Sequence, residues 1–483
     1  MIDVSSLKGL TQDSRAVKQG YLFAAFSGTK SDGRDFIPTA IEHGATAILA
    51  AEGTQLPKGV KDVELITDEN PRKVFAKLAA EFYGRQPEHI VAITGTNGKT
   101  STALFVQQLW DAAGYKAASL GTLGVRTQGV VQSGSMTTPD PVALHAGLAD
   151  LAAAGVTHLA IEASSHGLDQ YRLDGVEIEA AGFTNLSHDH LDYHGDMDRY
   201  FAAKARLFSE VLESGSQQTS NKSKCAHLNA DSSQFDQLET ICLDRGLKVM
   251  SYGYKGKDIK LVNVNPTARG QGLQLEVFGE RSEITLPLVG EFQVMNALCA
   301  LGLVLAHDLD NKNLYMEALE KLQGAPGRLQ LVNGHPKGAA VYVDYAHTPD
   351  ALKNVLKALR PHTQGRLVCV FGCGGDRDKA KRPVMGEVAN THADVVVVTD
   401  DNPRGENPAD IRAQIMAAVP DAQEIDDRRE AIHKTIQTLD EGEVLVIAGK
   451  GHEQGQVFAT HTDPFDDVEE AAKAIQSLLQ SNT

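Results

Sequence analysis

Long apolar runs are absent from this chain: nowhere do about 18 apolar residues follow one another, the length a helix needs to cross a bilayer. Met1 to Leu10 lacks a basic start followed by an apolar core, so no secretory leader is expected. Cysteine is scarce. The five present, at 225, 242, 299, 369 and 373, form no CxxC pair and no secreted-type disulfide framework, which fits thiols kept reduced. The expectation is a cytoplasmic protein without membrane insertion. Basic charge is also short, with 46 Lys and Arg against 63 Asp and Glu and a net charge of −17. That excludes nucleic-acid or anionic-membrane binding as a main task, so an anionic substrate must meet donors concentrated locally.

What is present is an alternation. The 483 residues, 42% hydrophobic, exceed what one core serves. Apolar runs of strand length alternate with helical patterns, and no repeat of about 20 to 50 residues occurs, so the class is α/β with largely parallel sheets. Three blocks are read, 1–87, 88–327 and 328–483. The polar stretch Gly215 to Lys224 reads as a surface loop. Strands are expected near Ala340 to Tyr345, Leu367 to Gly372, Val395 to Thr399 and Val444 to Ala448. Thr348 before Pro349, and Asn407 before Pro408, are helix starts. Functional residues should sit just past the carboxyl ends of those strands.

The run "VAITGTNGKTSTALFVQQLW" is a strand, a glycine-rich turn and a helix in the order that phosphate binding requires. Backbone N–H groups of Gly95, Thr96, Asn97, Gly98 and Lys99 can wrap an anion at the helix start, Lys99 can reach the β and γ phosphates, and Thr100 can ligate Mg2+. With Ile93 where a strict Walker A has glycine, the signature is the shorter GxxGKT form. ATP use is expected, but the loop alone does not say what the ATP is for.

In "DMDRYFAAKARLFSEVLE", Asp196 to Glu213, the residues Met197, Tyr200, Phe201, Leu207, Phe208 and Val211 share a helical face, and Lys204 lies within that stripe. Either its ammonium snorkels to water, or desolvation lowers the amine pKa and leaves a neutral nucleophile able to take up CO2 as a carbamate. Glu162 ends one apolar strand, and "TNLSHDHLDYHGD" ends another in a cluster of Asp and His. This oxygen-rich set favours Mg2+ over Zn2+, and no HExxH or cysteine companion argues for zinc there.

Together these pieces resemble the Mur ligases, from "DSR" at Asp13 to Arg15 through "GKGHE" at Gly449 to Glu453. The resemblance implies a small N-terminal α/β domain that binds the uridine diphosphate, a central P-loop ATPase-like domain and a C-terminal Rossmann-like domain that binds the amino acid. It implies an ADP-forming ligase that is a monomer, uses Mg2+, and joins meso-2,6-diaminopimelate to the D-Glu γ-carboxylate of UDP-MurNAc-L-Ala-D-Glu through an acyl phosphate. On the nucleotide-sugar side it points to Ser14, Thr29, Lys30 and Ser31, then Thr137, Thr138, Ser164, Gln170 and Arg172 for the muramoyl-dipeptide. For ATP it adds Ser101, Asn296, Arg328 and Asp344 to the phosphate loop, and His347 as a candidate base. The metal set it implies is Thr100, Glu162, His190 and a carbamylated Lys204.

For the added amino acid the resemblance points to Arg377, to Asp401, Asn402, Pro403 and Arg404 of "DNPR", and to Gly449 and Glu453. DNPR is the form associated with diaminopimelate rather than L-lysine, and chemistry agrees. Diaminopimelate carries a distal carboxylate that lysine lacks, and an arginine fork can pair with it in two hydrogen bonds. A lysine-adding ligase, a folylpolyglutamate synthetase relative and a catalytically inert nucleotide-binding module are the alternatives.

Overall fold

The structure is a computed structural model that describes residues 3–28, 31–132, 136–212 and 224–481. Thr29 and Lys30 lie outside the described residues, as does the polar stretch Gly215 to Lys224 apart from Lys224 itself. The chain divides into two compact units, one of Met1–Lys260 with Met295–Ala318, the other of Leu261–Val294 with Leu319–Thr483.

The first unit begins with a small parallel sheet of β1 (Gly9–Thr11), β2 (Tyr21–Ala25), β3 (Ala45–Ala51) and β4 (Glu64–Asp68), in that order. Apolar clusters that include Leu22, Leu49 and Phe75 and, separately, Phe23, Ile37 and Ile48 pack around it. Then come β5 (His89–Thr94), β6 (Ala117–Gly121), β7 (Gly124–Thr127), β8 (Val130–Gln132), β9 (His158–Glu162), β10 (Ile178–Phe183), β11 (Cys225–Asn229) and β12 (Lys248–Gly253). They lie in the spatial order β12-β11-β10-β5-β9-β6-β7-β8, parallel from β12 to β6. Strands covered on both faces read as continuous apolar runs, which is why "IVAIT" and "LAI" carry no alternation.

β5 thus lies between β9 and β10. In register, Ile93 faces Glu162 and Thr94 faces Phe183, so the carboxyl ends of the three strands stand side by side. The helix Met197–Arg206 widens at its end into a π-turn, Leu207–Val211, with the N–H of Leu212 bonded to the carbonyl of Leu207.

The second unit contains a hairpin of Gly270–Val277 with Glu280–Leu286 and a sheet in which Ala340–Asp344, Val444–Ala448, Leu367–Phe371 and Val395–Val398 are parallel neighbours in that order. The four strands expected from the sequence are all present, each within a residue of its expected end. Alternate residues feed two cores: Tyr342, Cys369 and Phe371 point into one, Val341, Val343, Val368 and Val370 into the other. Helices therefore cover both faces. Thr348 and Asn407 cap their helices as expected, accepting from the N–H of Ala351 and of Ala409, with proline at the first turn of each. All five cysteines are buried and free.

Candidate active site

At the end of β5 the chain turns through Gly95 to Gly98 into the helix Lys99–Ala112. Gly98 is left-handed, with φ +88, and a Cβ there would lie 2.2 Å from Asn296 Oδ1, so only glycine admits the asparagine this close. The loop is tied to the end of β10: the N–H of Thr96 donates to the carbonyl of Asn185, the N–H of Asn97 to Asn185 Oδ1, and Thr184 Oγ1 to the carbonyl of Asn97. Ser101 follows, buried in the first helical turn. Lys99 Nζ donates to the carbonyls of Gly95 and Thr96, at 2.9 and 2.8 Å.

Glu162 is buried at the end of β9 and accepts from Thr100 Oγ1 at 3.0 Å and from the N–H and hydroxyl of Thr122 at 2.9 and 3.2 Å. Burial raises its pKa, opposed by the Lys99 ammonium and these donors. Lys204 does not snorkel. It is 1% exposed, its Nζ donates to the carbonyl of Gly95 at 2.8 Å, and it lies 4.4 Å from the centre of the Tyr200 ring. Desolvation first, and the neighbouring Lys99 second, bring its pKa down to about 6. The exposed His190 ring lies 6.2 Å from the same tyrosine, whose hydroxyl pairs with Thr96 Oγ1. Tyr200 thus links the loop, the lysine and the histidine. The stripe pattern found it only as an apolar residue.

Beside Glu162 the structure joins Thr137, Thr138, Ser164, Gln170 and Arg172 in one network. Thr138 Oγ1 donates to the carbonyl of Glu162 and accepts from the N–H and hydroxyl of Ser164. Arg172 donates to the carbonyl of Thr138 and to Gln170 Oε1, both at 2.7 Å, and Gln170 Nε2 to the Tyr193 hydroxyl. Thr137 pairs with Thr122, the threonine that holds Glu162. Thr122 lay unnoticed in "GTLG", where nothing marks a threonine as a partner. Ser14, which opens the short turn Ser14–Ala16, and the exposed Ser31 have no hydrogen bond to this network among the described residues.

In the second unit Asp344 ends its strand buried, held by the N–H groups of Leu329 and Ala346, while the Arg328 guanidinium lies over the Tyr345 ring at 4.8 Å. Burial raises the Asp344 pKa. His347 donates from Nδ1 to the carbonyl of Tyr345, which leaves its Nε2 as the basic nitrogen.

The adjacent strand ends form a second cluster. Asn402 is locked: its Oδ1 accepts from Lys450 Nζ at 2.7 Å and from the N–H of Val457, and its Nδ2 donates to Glu453. Lys450, buried in "GKGHE", was not singled out from sequence, because a lysine between two glycines reads as solvent-facing. Gly449, at φ +122, leaves 2.6 Å between a would-be Cβ and Asp401 Oδ2. Arg404, following the buried Pro403, has φ 51, a left-handed backbone rare outside glycine, and its Nη1 donates to the carbonyls of Gly375 and Asn402. Its Nε and Nη2 have no partner among the described residues. The nearby Glu406 is committed elsewhere, to Arg382, Lys379 and the N–H of Asp376, which lower its pKa to about 2. Arg377 is exposed and not drawn into the cluster, its Nη1 3.4 Å from the carbonyl of Asp376.

The model of the Mur ligase middle domain matches residues 93–304, that of the Mur ligase glutamate ligase domain residues 327–451, and that of the Mur ligase family catalytic domain residues 6–83. A UDP-N-acetylmuramoyl-L-alanyl-D-glutamate--2,6-diaminopimelate ligase of Caulobacter vibrioides is 50% identical over 478 residues, 98% of this chain and 96% of that protein. The ligase of the same name from Rhizobium meliloti is 50% identical over 470 residues, 97% of this chain and 94% of that one. A solved structure of a ligase with this name has a TM-score of 0.77 at 34% identity, covering 98% and 95% of the two chains. The Mycobacterium tuberculosis folylpolyglutamate synthase bound to ADP shares the fold at 20% identity and a TM-score of 0.58, over 84% of this chain and 93% of that one.

Proposed function

The chain belongs to the Mur ligase family, and we infer that it joins meso-2,6-diaminopimelate to UDP-MurNAc-L-Ala-D-Glu with conversion of ATP to ADP. It is an ATP-dependent amide ligase of peptidoglycan synthesis, and the lysine-adding alternative is not favoured. The observation that carries the choice of amino acid is Arg404, a guanidinium with two unengaged donors and no ion pair among the described residues, beside the Asn402–Glu453 pair. The fork suits the distal carboxylate, while Glu453 and Asp401 suit ammonium groups.

The γ-carboxylate of D-Glu attacks the γ-phosphate of ATP, giving an acyl phosphate and ADP. The amine of diaminopimelate then attacks the acyl carbon, and phosphate leaves from the tetrahedral intermediate. No protein nucleophile is needed, so the protein's part is positioning and electrostatics. Lys99 exchanges its two carbonyl acceptors for phosphate oxygens, and the N–H groups of Gly98, Lys99 and Thr100 cradle them, with Ser101 in the same turn, while the N–H groups of Thr96 and Asn97 stay committed to Asn185. Asn296, Arg328 and Asp344 serve the rest of the nucleotide. The Thr138 network orients the muramoyl-dipeptide, while Ser14 and the Thr29 to Ser31 segment serve the uridine diphosphate. His347 Nε2 is the candidate acceptor for the amine proton.

The donor set fits Mg2+ on one condition. Thr100 Oγ1 and Glu162 supply adjacent hard oxygens, and His190 adds an accessible imidazole. Lys204 as an amine is no ligand for such an ion, but its lowered pKa supports reaction with CO2 to give a carbamate, which supplies oxygens. Bound there, Mg2+ would neutralise charge on the transferring phosphoryl group. We further propose a monomeric protein in the cytoplasm. No helix among the described residues is long and apolar enough to cross a membrane.

The test is to incubate purified protein, ATP and UDP-MurNAc-L-Ala-D-Glu with meso-diaminopimelate or L-lysine in parallel and weigh the product. The tripeptide mass of the diaminopimelate adduct is expected. A lysine adduct formed at equal rate would defeat the specificity, and sustained ADP release over many turnovers without either amino acid, beyond the single equivalent that acyl phosphate formation gives, would defeat the ligase reading.

A further inference from the structure

The strands that carry the phosphate loop and Glu162 at their carboxyl ends carry a different set of side chains at their amino ends. His89 opens β5, His158 opens β9 and is its register partner, and Glu179 lies near the start of β10. The helix Glu291–His307, which holds Asn296 against the phosphate loop, ends on His307 at this place. The rings of His89 and His307 are 3.9 Å apart between centres, and those of His89 and His158 4.6 Å.

One ring nitrogen from each of the three histidines falls within 4.8 Å of the others. In a tetrahedral site with Zn–N of about 2.05 Å these nitrogens stand about 3.4 Å apart, so roughly an ångström of side-chain rotation closes the set. The Glu179 carboxylate lies 3.1 Å from His89 Nδ1 and 3.3 Å from His307 Nδ1, where it can act as a fourth ligand or as the outer carboxylate that orients two imidazoles. His158 Nε2 is buried with no hydrogen-bond partner, while its Nδ1 pairs with Thr157 Oγ1 at 2.8 Å and its ring stacks on Tyr115 at 4.1 Å. A buried imidazole nitrogen with an unused lone pair, in a cluster with two more imidazoles, is unfavourable until something electropositive occupies the gap.

We propose that His89, His158 and His307, with Glu179, bind one divalent transition-metal ion of the imidazole-preferring kind, represented by Zn2+. This site is separate from the oxygen-rich set at Glu162: the residues of β5 put about 17 Å of strand between the two ends. Its nitrogen-rich donors select against Mg2+, which takes oxygen ligands. The ion fastens the end of the Asn296 helix to the three central strands, so its role is to hold the phosphate-loop scaffold rather than to touch substrate.

The test uses the full chain stripped with EDTA and titrated with Co2+ in excess Mg2+, read by visible absorption. One equivalent giving the intense d–d bands of a nitrogen-rich site of low coordination number, displaced by one equivalent of Zn2+, is expected, with a rise in the thermal midpoint on adding Zn2+. His190→Ala should keep the bands. The His158→Gln, His307→Gln double variant should lose them, bind Zn2+ roughly 100-fold more weakly, and still ligate at saturating Mg2+. Bands retained in the double variant, or lost in His190→Ala, would overturn the proposal. Should the double variant fail to fold, wild-type protein decides: Co2+ taken up with only the weak spectrum of an oxygen-ligated ion rejects the site outright.

Discussion

Lys99 and Lys204 donate to one acceptor, the carbonyl oxygen of Gly95, at 2.9 and 2.8 Å. Desolvation, and after it the repulsion of the Lys99 ammonium, brings the Lys204 pKa down to about 6. An unfolded lysine titrates near 10.4, so between these values the unfolded chain binds the extra proton and stability rises with pH. Below about pH 6 both states are protonated and the cost is felt in full. In CO2-free buffer, wild type should gain stability relative to Lys204→Met as pH rises from about 6 to about 10. Urea midpoints measure this, and a constant difference would mean the amine is solvated.

The same amine is largely neutral at pH 8, and carbamate formation should need no alkaline activation. With 13C-bicarbonate, a carbamate resonance is expected in wild type and absent in Lys204→Ala. That variant should lose nearly all ligation and recover part of it with a short carboxylic acid. Full activity without the acid would remove the carbamate from the mechanism.

Gly98→Ala asks the loop for a left-handed alanine, at about 1 to 2 kcal/mol, and drives its Cβ into Asn296. Nucleotide affinity should fall about tenfold or more, while binding of the UDP-muramoyl-dipeptide changes little. Titration with a fluorescent ATP analogue measures the first and calorimetry the second.

Arg404→Ala removes the proposed reader of the distal carboxylate. A hydrogen-bonded charge of this kind contributes about 1.5 to 3 kcal/mol, so the KM for diaminopimelate should rise roughly 10- to 100-fold with the KM for ATP unchanged. Steady-state kinetics with each substrate varied in turn decide it, and an unaltered KM for the amino acid rejects the role.

Arg428 and Asp467 form an ion pair at 2.7 Å with both side chains fully buried, and Arg428 also donates to the carbonyl of Ala448, the residue before Gly449. Asp467→Asn leaves the guanidinium without its counter-charge, at about 3 to 5 kcal/mol. An unfolding free energy lower by that amount is expected from urea titration.

Much of this fold was legible because its signals are local. Thr348 and Asn407 cap helices with their own side chains, and the apolar runs that became parallel strands need no partner to be recognised. The phosphate loop was readable for the same reason. Lys204 marks where local pattern stops: the stripe placed it on the buried face, but whether a long side chain escapes to water depends on what covers it. Thr122 and Lys450 went unnoticed, and Tyr200 was read only as apolar, because the polar partners of these side chains, Glu162, Asn402 and Thr96, lie far off in sequence. His89, His158 and His307 were likewise isolated histidines until the strand order β9-β5-β10 brought them together.

The Asn402 amide accepts from Lys450 and donates to Glu453, and Pro403 follows it directly. Asparagine ages by deamidation when the next backbone nitrogen loses its hydrogen and closes a succinimide ring on the side chain. Proline nitrogen has no hydrogen to lose, so that route is shut at this position. An aspartate formed there would set a second carboxylate against Glu453. The loop proposed to choose the amino acid is therefore protected, by the residue that shapes its turn, from a slow chemical drift that would change what it recognises.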